Sequence, residues 1–299
     1  MTSRAVTSRA VASRAVARRP TALTVAGTDS CGGAGVAADL KTFHGHGVHG
    51  LLAVTAVTVQ DTRGVSGFHA IPAETVAAQI DAVAADIGVG AAKTGMLASA
   101  EIVVAVAAAF RRHGIGRGQA SPLVVDPVAA SMHGDPLLRG DALEALRTSL
   151  LPLATVATPN LDEVRLLVGI DVVDRSSAEE AARAVHALGP HWVVVKGGHQ
   201  EDVPYAADVL FDGDAFVELS ARRHPTEHTH GGGDSLAASI AAALAGGAVV
   251  PDAVRAAKQY VTRAIARAKP LGTGAGPGPV DHIWWVASPG SASEGAVDR

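Results

Sequence analysis

The stretch HTHGGGDSLAASIAAALAG, residues 228–246, joins three consecutive glycines to an apolar, alanine-rich run. Gly231, Gly232 and Gly233 permit backbone conformations that a Cβ forbids, and the run behind them reads as a helix. Their amides then point out of a helix N-terminus, where the first N–H groups lack partners and the dipole is positive, so the end attracts anions. Asp234 falls in the first turn, where its carboxylate can take a proton from a nearby hydroxyl. An anion cradle beside a base is equipment for moving a phosphoryl group onto an alcohol. A tight loop with a capping Asp has the same local sequence, so the surrounding chain decides.

From Thr21 onward, short apolar runs alternate with helical patterns. Candidate strands are Leu23–Ala26, Leu52–Val59, Ala92–Gly95, Leu123–Asp126, Thr155–Thr158 and Trp192–Lys196. Helical patterns lie between them at Ala34–Phe43, Ala73–Ile87, Ala100–Phe110, Ala142–Leu150 and Ala178–Leu188. In the second of these, Val76, Ile80, Val83 and Ile87 share one face. Val209–Phe211 and Phe216–Leu219 flank Asp212-Gly213-Asp214 and read as a hairpin. Two closing helices follow, from Gly233 to about Gly246 and from Pro251 to Ala268. Nearly all-apolar strands are expected where a sheet is covered on both faces. The alternation therefore predicts a three-layer α/β/α sandwich around a mostly parallel central sheet.

Composition bounds the function. The chain has 299 residues, 48% of them apolar, and a formal charge of −4, which offers no footprint for nucleic acid. A single cysteine, Cys31, excludes an internal disulfide framework and points to a reducing, cytoplasmic setting. No apolar run reaches the roughly 18 residues of a membrane span. Residues 1–20 repeat Ser-Arg-Ala-Val three times without any acid and read as a disordered Arg/Ser/Ala-rich extension. Residues 21–286 read as one domain, and 287–299 as a disordered tail.

In open parallel sheets, ligands bind beyond the carboxyl ends of the strands. After the first strand, Gly27-Thr28-Asp29-Ser30-Cys31-Gly32-Gly33-Ala34-Gly35 can cradle a ligand, although it lacks the Gly-Lys-Ser/Thr ending of a P-loop, and Asp29 can equally be an N-cap. Gln60, following Thr58, presents an amide that donates and accepts at once, suited to the edge of a nitrogen heterocycle or to a turn. Met96 at another strand end packs on an aromatic ring or simply fills core. Asn160 and Glu163 start a helix three residues apart; the carboxylate can hold Mg²⁺, usually through water, or close a capping box. Lys196 at the sixth strand end suits neutralisation of transferred negative charge. His224, His228 and His230 match no common zinc spacing and read as loop histidines.

In order along the chain stand Ala-Gly-Thr-Asp-Ser with Gly-Gly-Ala-Gly, Ala38–Phe43, Thr55–Gln60, Lys-x-Gly-Met (93–96) and Asp-Pro-Val (126–128). Gly-Asp-x-Leu-Leu (134–138), Thr-Pro-Asn-Leu-x-Glu (158–163), Lys-Gly-Gly-His (196–199), Thr-His-Gly-x-Gly (229–233) and Gly-Pro-x-x-His (278–282) complete the set. With these motifs in register from about 22 to 282, the chain resembles the hydroxymethylpyrimidine/phosphomethylpyrimidine kinases of thiamine biosynthesis, a ribokinase-like family.

The resemblance implies ATP- and Mg²⁺-dependent phosphorylation of 4-amino-5-hydroxymethyl-2-methylpyrimidine, then of its monophosphate. It implies that Gln60 bonds the pyrimidine ring, that Thr58 contacts it through backbone, and that Met96 and Val128 pack nearby, with Gly27 and Asp29 completing the substrate pocket. Gly231, Gly232 and Gly233 would bind the transferred phosphate; Asn160 and Glu163 would order Mg²⁺ and the nucleotide; Lys196 would lie near the nucleotide. A homodimer is implied as well. The chain departs from the family's Gly-Thr-Gly-Cys with Gly231-Gly232-Gly233-Asp234, and carries Asp61 and Met132 where Asn and Lys are common. Asp234 is the usual base of the wider ribokinase group, so pyridoxal kinase is a second reading and a non-catalytic pyrimidine sensor a third.

Overall fold

The computed structural model describes residues 19–129, 140–198 and 204–286; Met132, the 134–138 motif, His199, residues 1–18 and the tail after Val286 lie outside them. In chain order the elements are β1 (Thr21–Ala26), α1 (Gly35–Gly45), β2 (His49–Val54), β3 (Ala56–Asp61), β4 (Gly64–Ala70), α2 (Ala73–Asp86), β5 (Ala91–Thr94), α3 (Ala100–Arg112) and β6 (Leu123–Val125). There follow α4 (Gly140–Ala145), β7 (Val156–Ala157), α5 (Leu161–Val168), α6 (Arg175–His186), β8 (Trp192–Val195), β9 (Tyr205–Phe211), β10 (Phe216–Arg222), α7 (Gly232–Ala245) and α8 (Val250–Arg267).

Eight strands form one sheet in the order β10-β9-β8-β7-β6-β5-β1-β2. All neighbours from β2 to β8 run parallel, and β9 alone is antiparallel to both of its neighbours. The period-2 geometry of a strand splits each apolar run between two cores. Val193 and Val195 of β8 pack with Val76, Ile80, Phe110 and Leu167 of α2, α3 and α5, while Val194 packs with Phe43, Ile240 and Tyr260 of α1, α7 and α8. This is the expected three-layer ribokinase-like sandwich.

The run expected as a single strand, Leu52–Val59, divides at Thr55. Its amide bonds the Ala26 carbonyl and its hydroxyl bonds that of Met96. Beyond it, β3 leaves the sheet and pairs with β4 as a separate two-stranded ribbon. The β-branched pattern runs unbroken across that point, so no local signal marks the change of partner. The ribbon's second strand and helix α5 are the elements missing from the sequence reading, although the start of α5 was legible at Asn160.

Helix α7 is buried almost all round: Leu236, Ala237, Ala238, Ile240 and Ala241 have almost no exposure. It touches α1 and α8 on its flanks and β1, β5 and β6 beneath. Small residues permit that close approach, and a helix apolar on every side belongs in an interior. The glycine turn that begins it is thereby fixed against the sheet's carboxyl edge. Replacing the fully buried Ile240 by Ala should cost about 2–5 kcal/mol of folding free energy. Val217→Ala, at a 39% exposed position, should stay within about 0.5 kcal/mol. Urea denaturation of both variants checks the contrast.

Candidate active site

At the carboxyl edge of the sheet the glycine turn meets the loop after β1. Gly231 takes φ +77° as the N-cap of α7, and a Cβ there would run into the carbonyl oxygen of Gly33. Only glycine satisfies both demands. The three glycines are not equivalent, however. The Gly232 amide donates to the Thr229 carbonyl at 3.0 Å, so it is spent within the turn. The amides of Gly233 and Asp234 follow in the first turn, where the helix itself supplies no acceptor.

Asp234 stands beside a lysine that the sequence reading passed over. Lys93, at zero exposure on β5, donates to Asp234 Oδ1 at 2.9 Å and to both Asp39 oxygens at 2.9 and 3.0 Å. Asp39 also accepts from Thr24 Oγ1 at 2.6 Å. Burial opposes the Lys93 charge, yet Asp234, Asp39 and Asp126 hold its pKa above the ordinary lysine value. Burial likewise works against the Asp234 carboxylate, and Lys93 overcomes it, keeping the group below the usual range. Burial pushes Asp39 up to about 7 against the pull of Lys93. A lysine within an apolar strand and an acid within a helix that packs on it were the available signals.

A second cation faces the turn from the other side. Lys196 Nζ lies 2.8 Å from Asp126 Oδ1 and 3.8 Å from Glu163 Oε2. Burial opposes its charge, while Asp126 and Glu163 hold its pKa above normal. Asn160 and Glu163 do form a capping box: Asn160 Oδ1 accepts from the Glu163 amide at 2.8 Å, and Glu163 Oε2 accepts from the Asn160 amide at 2.7 Å. Burial raises the Glu163 carboxyl to about 7, with Lys196 pulling the other way. Capping and a place on the cavity wall therefore coexist in one side chain. Asp126, which also accepts from Thr158 Oγ1 at 3.0 Å, is a further wall residue absent from the sequence-derived set.

Of the three histidines, His230 is buried and not an idle loop residue: its Nε2 lies 3.0 Å from Asp29 Oδ2. Asp29 is a hub. Its Oδ2 also accepts from the Gly33 and Ala34 amides at 2.8 Å each, and its Oδ1 from the Cys31 amide at 2.9 Å and thiol at 3.0 Å. Burial alone would raise this carboxyl; the bonds from His230 and Cys31 hold it well below the usual carboxylate range. An ionised Asp29 places the proton of His230 on Nε2. Burial and Asp29 push the Cys31 thiol up to about 11, which leaves it an inert donor. Asp29, Cys31 and His230 thus clasp the first glycine loop to the second, with the carboxylate's acceptor sites already filled.

One cavity of about 820 Å³ collects the sequence-predicted residues. Gln60, Thr58, Met96, Val128, Gly27 and Asp29 line one part of it; Lys196, Asn160, Glu163, the glycine turn and Asp234 line the rest. A register shift between Val59 and Gln60 marks a bulge, a device that re-aims a side chain at a ribbon's end. The volume falls within the roughly 300–1,000 Å³ typical of small-molecule sites.

A phosphomethylpyrimidine kinase family model matches residues 29–281. A hydroxymethylpyrimidine/phosphomethylpyrimidine kinase of Mycobacterium leprae is 57% identical over 259 residues, 85% of this chain and 91% of the relative. Among solved structures, an ADP complex of Bacillus subtilis pyridoxal kinase matches with a TM-score of 0.80 at 37% identity, covering 89% of this chain and 98% of that one. A phosphomethylpyrimidine kinase of Clostridium difficile matches with 0.72 at 35% identity, covering 83% and 100%.

Because its folded pKa is depressed, Asp29 contributes stability that is present above the unfolded carboxylate value and lost as pH falls through the folded one. Asp29→Asn should therefore lose most stability near neutrality, and its gap to the wild type should narrow below about pH 4. Thermal melts from pH 7 to pH 3 measure that gap.

Proposed function

Because this chain belongs to the phosphomethylpyrimidine kinase family and is a kinase of ribokinase-like fold, we propose that it phosphorylates a hydroxymethylpyrimidine and then the resulting monophosphate, using ATP and Mg²⁺. One observation carries the reading: Gln60, with its bifunctional amide, shares a cavity with Asp234, the free end of the glycine turn and Lys196. A heterocycle bonded at Gln60 and flanked by Met96 and Val128 would present its hydroxymethyl group toward the turn. The nucleotide would enter along Asn160, Glu163 and Lys196. The neighbouring kinase solved with ADP supports a nucleotide in such a fold.

In the first transfer Asp234, ionised because Lys93 stabilises its charge, accepts the hydroxymethyl proton as that oxygen attacks the γ-phosphate in line. The Gly233 and Asp234 amides and the Lys196 ammonium face the developing negative charge. Glu163, aided by the nearby Asp126, offers the hard oxygen donors that suit a Mg²⁺ ion still carrying water. Bound there, Mg²⁺ would neutralise charge on the nucleotide phosphates. In the second transfer the attacking group is a phosphate monoester that is already ionised. It needs no base, only relief of charge repulsion by cations and amides.

The likeness to pyridoxal kinases keeps pyridoxal as a second substrate reading, since both alcohols are hydroxymethyl heterocycles. Mass spectrometry of products from hydroxymethylpyrimidine, its monophosphate and pyridoxal decides between them; no product from either pyrimidine would overturn the assignment. Val57 and Val59, 49% and 64% exposed on the outer face of the β3–β4 ribbon, support a homodimer that covers them.

Asp234→Asn should lower first-step kcat by about 10²-fold or more while leaving pyrimidine affinity within about threefold. Single-turnover rates and calorimetric titration separate the two effects. Glu163→Gln should raise the Mg²⁺ concentration for half-maximal rate by about tenfold, read from a metal titration at saturating ATP.

A further inference from the structure

Lys93 is placed where it threatens the chemistry that Asp234 is asked to do. An ammonium 2.9 Å from a carboxylate, with the lysine side chain at zero exposure, stabilises the ionised form strongly. Taken alone, it would make Asp234 a feeble proton acceptor. Asp39 stands on the far side of the same ammonium, accepting from it through both oxygens at zero exposure, and Thr24 Oγ1 fixes Oδ2 through a 2.6 Å bond. Above neutrality, where Asp39 with its pKa of about 7 is ionised, two carboxylates and one ammonium leave the cluster with one excess negative charge. A proton arriving on Asp234 removes that excess in a region where unbalanced charge is costly. Asp39 therefore restores the proton affinity that Lys93 takes away, without touching the substrate.

We propose that the buried pair Asp39–Lys93 consists of positioning residues that hold Asp234 in place and tune it as a base, and that the pair serves the first phosphoryl transfer and not the second. The inference rests on the reading of Asp234 as the acceptor of the hydroxymethyl proton. In the first transfer the O–H bond breaks and its proton goes to Asp234. The alcohol oxygen forms the new P–O bond, and the bond from the γ-phosphorus to ADP breaks. In the second transfer no proton leaves the nucleophile, so the state of the cluster has no bond-making step to influence. Both transfers share the same glycine turn, Lys196 and nucleotide wall, which makes the second an internal control for the first.

The experiment compares wild type with Asp39→Asn at pH 8, where Asp39 is ionised; the change is near-isosteric, keeps one acceptor for Lys93 and removes the counter-charge. With the counter-charge gone, Lys93 acts on Asp234 alone. First-step kcat should fall at least about tenfold, a part of the 10²–10⁴-fold that base catalysis supplies. KM for the alcohol should stay within about twofold, and second-step kcat, with the monophosphate supplied, within about threefold. Parallel loss in both steps would mean a merely structural role and overturn the proposal, as would an unchanged first step. Should Asp39→Asn fail to fold, the double variant Lys93→Met with Asp39→Asn removes the pair together. In it Asp234 still faces Lys196, Glu163 and His230 but has lost the ammonium that holds its pKa down, so first-step activity should fall at pH 7 and recover at higher pH, while the second step persists. Loss without alkaline recovery would count against the proposal. If the wild type accepts pyridoxal but no pyrimidine, the substrate reading fails separately. The kcat loss is then read on that alcohol, with KM as the control.

Discussion

A lysine ammonium sealed from water between two carboxylates organises this molecule. Lys93 comes from a central strand, Asp39 from the helix that follows β1, and Asp234 from the first turn of α7. No pair of these elements is adjacent in sequence, so the cluster fixes how strand, first helix and penultimate helix meet. Removing Lys93 would leave the Asp39 and Asp234 carboxylates without the cation between them, and breaking a buried pair from one side typically costs about 3–5 kcal/mol. That penalty is the physical reason Asp234, the proposed base, has a defined place. The site's chemistry and one of the fold's constraints reside in the same three side chains.

A second constraint is steric. Gly231 lies against the Gly33 carbonyl, and a Cβ on Gly35 would collide with the Gly27 carbonyl. Two glycine turns, from opposite ends of the chain, approach backbone to backbone and are clasped by Asp29 and His230. The crowding turns the first amides of α7 toward the cavity. It also explains why a run of three glycines uses them unequally: one for its positive φ, one whose amide closes the turn, and one left to face the ligand space.

The alternation of apolar runs and amphipathic segments made the parallel sandwich legible, because strands covered on both faces cannot disguise their composition. Gln60, Met96, Asn160, Glu163, Lys196 and Asp234 were legible as wall residues because each follows a strand or opens a helix at the sheet's carboxyl edge. The division of the run at Thr55 was not, since a side chain that bonds the Met96 carbonyl looks like any other threonine in a strand. Lys93 and Asp39 were hidden for a different reason. Their meaning lies in a pairing across 54 residues, and a charge inside an apolar strand or helix signals burial without naming its partner. His230 read as a loop histidine for the same reason, its partner Asp29 standing 201 residues earlier.

The two proposed transfers place opposite demands on one pocket. The first needs a negative group near the nucleophile to take its proton; the second must bring a doubly charged monoester to the same spot. A lone carboxylate would satisfy the first demand and repel the second substrate. Lys196, on the cavity wall, supplies an ammonium near Asp234 that the incoming monoester would meet directly. On this reading Lys196 and the turn amides would receive the monoester, while Lys93 and Asp39, bonded to Asp234 away from the ligand, would set the base for the first transfer alone. One pocket could then serve both reactions, because the groups that tune its base are not those that meet the second substrate.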